Sequence, residues 1–301
     1  MKLQDYIIYK SIFIFLKLIG SIPRKYAVQI SNFIGNLWFL LDKNHRNTAL
    51  KNLNYAFGKE FSKYKIRSIA KKSFANLVLM QFEIGLILRL KLKDRDKYFD
   101  IKGVSNLKKA HEKKRGILLL SGHLGNWEIA SIVLNSLEIP PCTVYKKIES
   151  EPIDKAIYDI RTRFGGTFFP MRSGAMKKIF NLLQKNYMLY LLIDQNSPRD
   201  VKQSIFIDFF EKKASAMTGP AKIALLSGAS IVPFFIFRDK GRFVAEFQPE
   251  LEIIRTGDLT KDIEINTQRF NDIIEENIRR YPDQWFWVHK RWRTRPYKYL
   301  S

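Results

Sequence analysis

Cysteine is almost absent from this 301-residue chain, where Cys142 stands alone. A framework of intramolecular disulfides is thereby excluded, and the composition suits a reducing compartment. Histidine is sparse too: His45, His111, His123 and His289 are the full set. No spacing among them, or with the cysteine, repeats as metal ligands do, so neither a zinc site nor any other cofactor is expected. Acidic residues are the third shortage, with 29 Asp and Glu against 52 Lys and Arg, a formal net charge of +23. Such an excess favours anionic partners, whether nucleic acid, an anionic membrane leaflet, phosphorylated substrates or an acidic protein. Zinc-finger spacing, a helix-turn-helix pattern and RNA-binding signatures are all missing, so nucleic acid is not expected among them. There are no internal repeats and no low-complexity linkers.

Apolar residues are plentiful at 46%, enough for a substantial core. Near the N-terminus, residues 7–22 read "IIYKSIFIFLKLIGSI", followed by Pro23, Arg24 and Lys25. As a helix those 16 residues span about 24 Å, short of a hydrocarbon core of about 30 Å. Lys10 and Lys17 lie seven apart and so share one helical face. The expectation is a helix lying in, or obliquely entering, the membrane interface from the cytoplasmic side. Its plain alternative is an amphipathic helix packed on the core. A secretory signal fits poorly, because lysines interrupt the apolar region and no small-x-small site follows. Residues 1–25 are therefore read as a membrane-associating part and residues 26–301 as one α/β domain.

Residues 26–92 carry apolar side chains at three- and four-residue intervals, the period of helices. From about residue 99 the period changes. "GILLLSG", "PPCTVYKK", "GTFFPMR" and "YMLYLLID" read as strands, separated by helical stretches such as "EPIDKAIYDIRTRFG" and "GAMKKIFNLLQKN". In "TGPAKIALLSGA" Thr218 or Gly219 caps a helix, Pro220 opens it and Gly228 stops it. Asp239-Lys240-Gly241 turns one strand back on the next. Strands alternating with helices predict an α/β fold, with a mostly parallel central sheet flanked by helices.

Sheets of this kind hold ligands at the carboxyl ends of their strands. "LLLSGHLGNWEIA" places His123 at such an end and Glu128 five residues later. Imidazole takes a proton from an attacking hydroxyl, and a carboxylate on its other nitrogen fixes the tautomer and favours the developing charge. A polar turn that merely holds two titratable groups is the plain alternative. No serine or cysteine at a sharp elbow suggests a covalent intermediate, and no His-Glu-x-x-His suggests a zinc peptidase.

"HLGNWE" resembles the His-x-x-x-x-acid motif of the glycerolipid acyltransferase superfamily, in the form found in bacterial lipid A biosynthesis (late) acyltransferases. Further blocks follow in the same order. "GGTFFPMR" resembles the second block and puts its acceptor-contacting arginine at Arg172. "YLLIDQN" resembles the third, at Asp194 and Gln195, and "TGPAKIALLSGASIVPFF" resembles the Thr-x-Gly-Pro helix with the Val-Pro block at Val232 and Pro233. The ending "QWFWVHKRWRTRP" resembles the family's aromatic-basic tail, with Lys290 and Trp292-Arg293 where the family often has arginine and Phe-Lys. The resemblance implies transfer of a fatty acyl group from acyl carrier protein to a hydroxyl of an anionic glycolipid, a lipid A precursor, with no metal. His123 would be the general base and Glu128 its orienting partner. Arg161, Arg172, Asn126, Asp194 and Gln195 are the expected substrate-binding residues. Rival readings are another glycolipid or lysophospholipid acceptor, a basic nucleic-acid-binding protein, and a non-catalytic scaffold on a membrane surface.

Overall fold

The computed structural model describes residues 2–197 and 203–296. The chain opens with α1 (Leu3–Ile19) and α2 (Arg24–Leu41), separated at Pro23, which occupies the N-cap of the second helix. Their axes are bent by 116°, and among the described residues no single helix is long and apolar enough to cross a membrane. The side chain of Asp42 accepts from the His45 amide to start α3 (Lys43–Phe57), and that of Ser62 accepts from Lys65 to start α4 (Lys63–Ile87). Both are N-caps that satisfy an otherwise unpaired helix donor.

The α/β part follows. It runs through α5 (Arg95–Tyr98), β1 (Phe99–Lys102), α6 (Val104–Glu112), β2 (Ile117–Ser121), α7 (Ala130–Leu134), β3 (Pro141–Tyr145), α8 (Glu151–Thr162) and β4 (Thr167–Pro170). Next come α9 (Ala175–Gln184), β5 (Met188–Leu192), β6 (Ser204–Phe209), β7 (Lys212–Met217), α10 (Gly219–Ser227), β8 (Ser230–Asp239), β9 (Arg242–Phe247) and α11 (Leu259–Arg280). Among the described residues the main sheet has seven strands in the order β1-β9-β8-β2-β5-β3-β4. All neighbours are parallel except β8 and β9, which the turn at Lys240-Gly241 makes antiparallel. The mostly parallel α/β sheet expected from the alternating pattern is thus present. The separate β6–β7 ribbon is antiparallel and has no counterpart in the sequence reading.

Burial on both faces explains the unbroken apolar runs. In β2, Leu118 and Leu120 belong to a core shared with α3, α4, α9, α10 and α11, while Ile117 and Leu119 face a second core with α6 and α7. Strands β8, β2, β5, β3 and β4 all run the same way, so their carboxyl ends line one edge. The chain turns after β2 and after β5 bring residues 122–128 and 193–197 together on that edge.

α1 is packed, not free. Leu16 is buried with Ile84, Leu88 and Ile160, and the Tyr9 hydroxyl donates to Asp159 at 2.7 Å. Its outer face remains apolar, with Leu3, Ile7, Ile14, Phe15 and Leu18 exposed, and α2 exposes Phe33, Leu37, Leu40 and Leu41.

Candidate active site

His123 follows β2 directly, and Asp194 follows the neighbouring β5. Ser121 is in register with Leu192, so residues two positions beyond each meet. The imidazole Nδ1 lies 2.7 Å from Asp194 Oδ1, and the His123 backbone amide donates to Oδ2 at 2.8 Å. The Trp285 indole donates to the same Oδ2 at 2.6 Å. Burial pushes the Asp194 carboxyl up, but the His123 ring and these donors outweigh it and hold the group down at about 2. An anionic acceptor at Nδ1 places the ring hydrogen there and leaves the lone pair on Nε2. The Gln195 amide nitrogen sits 3.2 Å from that Nε2. Trp127 meets the ring edge-on at 4.7 Å between centroids, and Phe286 flanks it at 5.9 Å.

Glu128 is placed differently from the sequence expectation. A single 3-10 turn (Trp127–Ile129) carries it, and the carboxylate is gripped by Arg161 of α8. The two hydrogen bonds, 2.8 and 2.6 Å, form a bidentate pair, and the Trp127 indole donates a third at 3.1 Å. Burial raises the Glu128 carboxyl, yet the Arg161 charge and its hydrogen bonds prevail and hold it below the usual range. Conversely, burial would lower Arg161, and Glu128 raises it by more. Glu128 therefore remains an anion near the imidazole, whose charge it feels. The carboxylate on the ring nitrogen itself is that of Asp194, a residue read from sequence only as a substrate contact.

The other expected residues divide. Gln195 is at the ring, as described. Arg172 is exposed just beyond β4, and the Tyr145 hydroxyl at the end of β3 lies within electrostatic reach of both Arg161 and Arg172. Together they extend a basic rim along the same sheet edge. Asn126, expected at the substrate, is instead fully buried, and its amide donates to Glu83 of α4 at 2.9 Å. Glu83 is held bidentately by Arg238 at the end of β8, at 2.6 and 2.5 Å. Asn126 thus ties the turn after His123 to the helical layer behind it. Gly125 in that turn has φ +65°, and a Cβ there would stand 2.0 Å from the Ile236 carbonyl oxygen.

Sequence reasoning missed what the C-terminal segment does for the ring. Residues 284–294 wrap behind the His123 and Asp194 turns: Phe286 donates to the His123 carbonyl at 3.1 Å, and His289 Nε2 accepts from the Asn196 amide at 2.9 Å. Arg291 is fully buried and donates to the Ser215 carbonyl oxygen and, at 3.3 Å, to Asn271. Burial without a paired carboxylate lowers its guanidinium to about 10. Asn52 of α3 anchors the segment by donating to the carbonyls of Trp287 and His289 at 2.8 and 2.7 Å. Tyr190 was also missed: it lies beside Ser121, and burial, with help from Glu128, raises its hydroxyl.

On the edge of a mostly parallel α/β sheet, a carboxylate-oriented imidazole has the geometry to accept a proton at Nε2. Among the described residues Gln195 is the one side chain hydrogen-bonded to Nε2, and no serine or cysteine of theirs is bonded to it. The chain belongs to the bacterial lipid A biosynthesis acyltransferase family, whose model matches residues 2–294. It is 27% identical to a lipid A biosynthesis acyltransferase of Haemophilus influenzae, over 93% of this chain and 86% of that one. Against the lipid A biosynthesis lauroyltransferase of Escherichia coli it is 24% identical, over 93% and 90% of the two chains. A phosphatidylinositol mannoside acyltransferase of Mycolicibacterium smegmatis is 27% identical over a shorter stretch, 64% of this chain and 62% of the relative.

Proposed function

We propose that this protein transfers a fatty acyl group from an acyl carrier protein thioester to a hydroxyl of a lipid A precursor, with His123 as general base. The observation that carries the reading is the Asp194 carboxylate 2.7 Å from Nδ1, a contact that favours a lone pair on Nε2. The acceptor hydroxyl gives its proton to Nε2 as its oxygen bonds to the thioester carbonyl carbon. The tetrahedral intermediate then collapses, the carbon–sulfur bond breaks, and the imidazolium returns the proton to the leaving thiolate. Asp194, ionised throughout, orients the ring and stabilises the charged form. Glu128 adds a second anion nearby, fixed by Arg161.

A thioester is already activated, so deprotonation and stabilisation of the oxyanion are the main demands on the protein. Arg172 and the adjoining basic rim suit a phosphorylated acceptor, for which a guanidinium offers a fork of donors. The surplus of basic residues suits acidic acyl carrier protein and an anionic leaflet alike. The exposed apolar faces of α1 and α2 support attachment to the cytoplasmic face of the inner membrane. Residues 1–25 act in that attachment, and residues 26–301 form the catalytic α/β domain.

Mannoside acyltransferases among the relatives give a second acceptor reading, a different glycolipid hydroxyl. Mass spectrometry of the lipid product from mixed acceptors, with acyl carrier protein thioesters as donors, separates the two. Acylation confined to the lipid A precursor is expected; exclusive acylation of a mannosyl lipid overturns the acceptor assignment. Arg172→Ala is expected to weaken acceptor use more than donor hydrolysis. Equal loss of both would assign Arg172 a structural role.

A further inference from the structure

A cavity of about 460 Å³ opens at the elbow between α1 and α2, against α4 and the start of β9. Among its described lining residues four are cationic, Arg24, Arg89, Lys97 and Arg242, and one is acidic, Glu83. Lys97 is bonded to Asp94 at 3.2 Å and Arg242 to Asp100 at 2.8 Å. Glu83 offers Arg24 little neutralisation. It contacts Arg24 at 3.5 Å, while Arg238 takes both of its oxygens and Asn126 one of them. Arg89 is exposed and forms no ion pair among the described residues. α2 also begins with Arg24 and Lys25 and has neither an acid in its first turn nor a side-chain cap. Cations at a helix N-terminus oppose the dipole, and an anion in the cavity would offset both charges.

The mouth of this cavity lies among apolar surface. Leu18, just before the elbow, is 64% exposed, and Tyr26, just after it, is 54% exposed. Beyond them run the exposed apolar residues of both helices. A ligand fitting this site carries an anionic head and apolar tails. We propose that the elbow cavity binds the phosphate headgroup of an anionic phospholipid, whose chains lie along the outer faces of α1 and α2. The site is separate from the acceptor's, and it rests on the membrane-surface reading above.

The test uses the full chain in two measurements. Flotation with phosphatidylcholine vesicles, with and without phosphatidylglycerol, reads membrane attachment. Native mass spectrometry in neutral detergent reads retention of phosphatidylglycerol against phosphatidylcholine. The wild type should float and should retain phosphatidylglycerol preferentially. The variant combining Arg24→Gln and Arg89→Gln should lose about tenfold or more in that retention, while still floating. The combination Lys108→Gln and Lys109→Gln, on the exposed face of α6, removes the same charge elsewhere and should retain the lipid as wild type does. Flotation with unchanged retention in the Arg24/Arg89 variant overturns the proposal alone, as does equal loss in the α6 variant. A wild type that floats on neither vesicle overturns the membrane reading, and the proposal with it. Inorganic phosphate binding as tightly as phosphatidylglycerol, with the same dependence on Arg24 and Arg89, would make free phosphate the ligand and overturn the lipid assignment.

Discussion

His123 depends on three donors to Asp194, one of which is its own backbone amide. Asp194→Asn keeps the shape but removes the anion at Nδ1, and should reduce transfer by about 10²–10⁴, measured as turnover of acyl carrier protein thioester by protein with a native circular dichroism spectrum. The depressed carboxyl also has a stability consequence. Its folded value of about 2 lies below its ordinary 3.8, so this group's contribution is present above pH 3.8 and is lost as pH falls from there toward 2. That contribution is about 2 kcal/mol. Urea unfolding near about pH 5 and about pH 3 should show a steeper loss in the wild type than in Asp194→Asn; parallel losses would contradict the assignment. A double-mutant cycle on Glu128→Gln and Arg161→Gln should return a coupling of about 1–3 kcal/mol in stability, as neighbours in one ion pair do. Sequence spacing found His123 and Glu128 because they are five residues apart. It could not find the pairing of His123 with Asp194, since that contact depends on β2 lying beside β5, which no local period encodes. For Asn126 the motif suggested a ligand contact, while its burial against Glu83 is a tertiary fact that no spacing carries.

Among the elements, α1 owes its position to two glycines. A Cβ on Gly20 would stand 2.0 Å from the Gly85 carbonyl carbon, and one on Gly85 would stand 2.1 Å from the Leu16 carbonyl oxygen. Gly20→Leu should therefore prise α1 from α4, seen as faster limited proteolysis between α1 and α2 with the α/β part intact; an unchanged cleavage rate would argue that the crossing tolerates a side chain. The C-terminal segment is the other dependent element. Arg291→Leu strips donors from buried acceptors and should cost about 2–4 kcal/mol, read by chemical unfolding. The central strands β2 and β8 were legible from sequence because both faces are buried and their apolar runs are nearly unbroken. The β6–β7 ribbon was not. Its turn uses Phe210 and Glu211 at φ 51° and 58°, without the Asn-Gly or Asp-Gly signature that usually marks such a hairpin.

For the whole molecule, the proposed attachment to an anionic membrane draws on two separate features, the net charge of +23 and the apolar outer faces of α1 and α2. Phe33→Asp with Leu37→Asp changes two exposed side chains, so stability should move by about 0.5 kcal/mol or less each, while flotation with anionic vesicles should fall severalfold. Retention at wild-type levels would shift attachment to α1 alone. Composition gave the charge excess but not its place on the fold, because a sum of charges carries no coordinates.

The proposed chemistry rests on a single imidazole, that of His123, removing a proton from a lipid alcohol. The most direct check follows the mass of a phosphorylated lipid A precursor incubated with acyl carrier protein thioesters and either the wild type or folded His123→Ala. One added acyl chain with the wild type, and a rate lower by about a hundredfold or more with the variant, is the predicted result. Acylation by His123→Ala at the wild-type rate would contradict it.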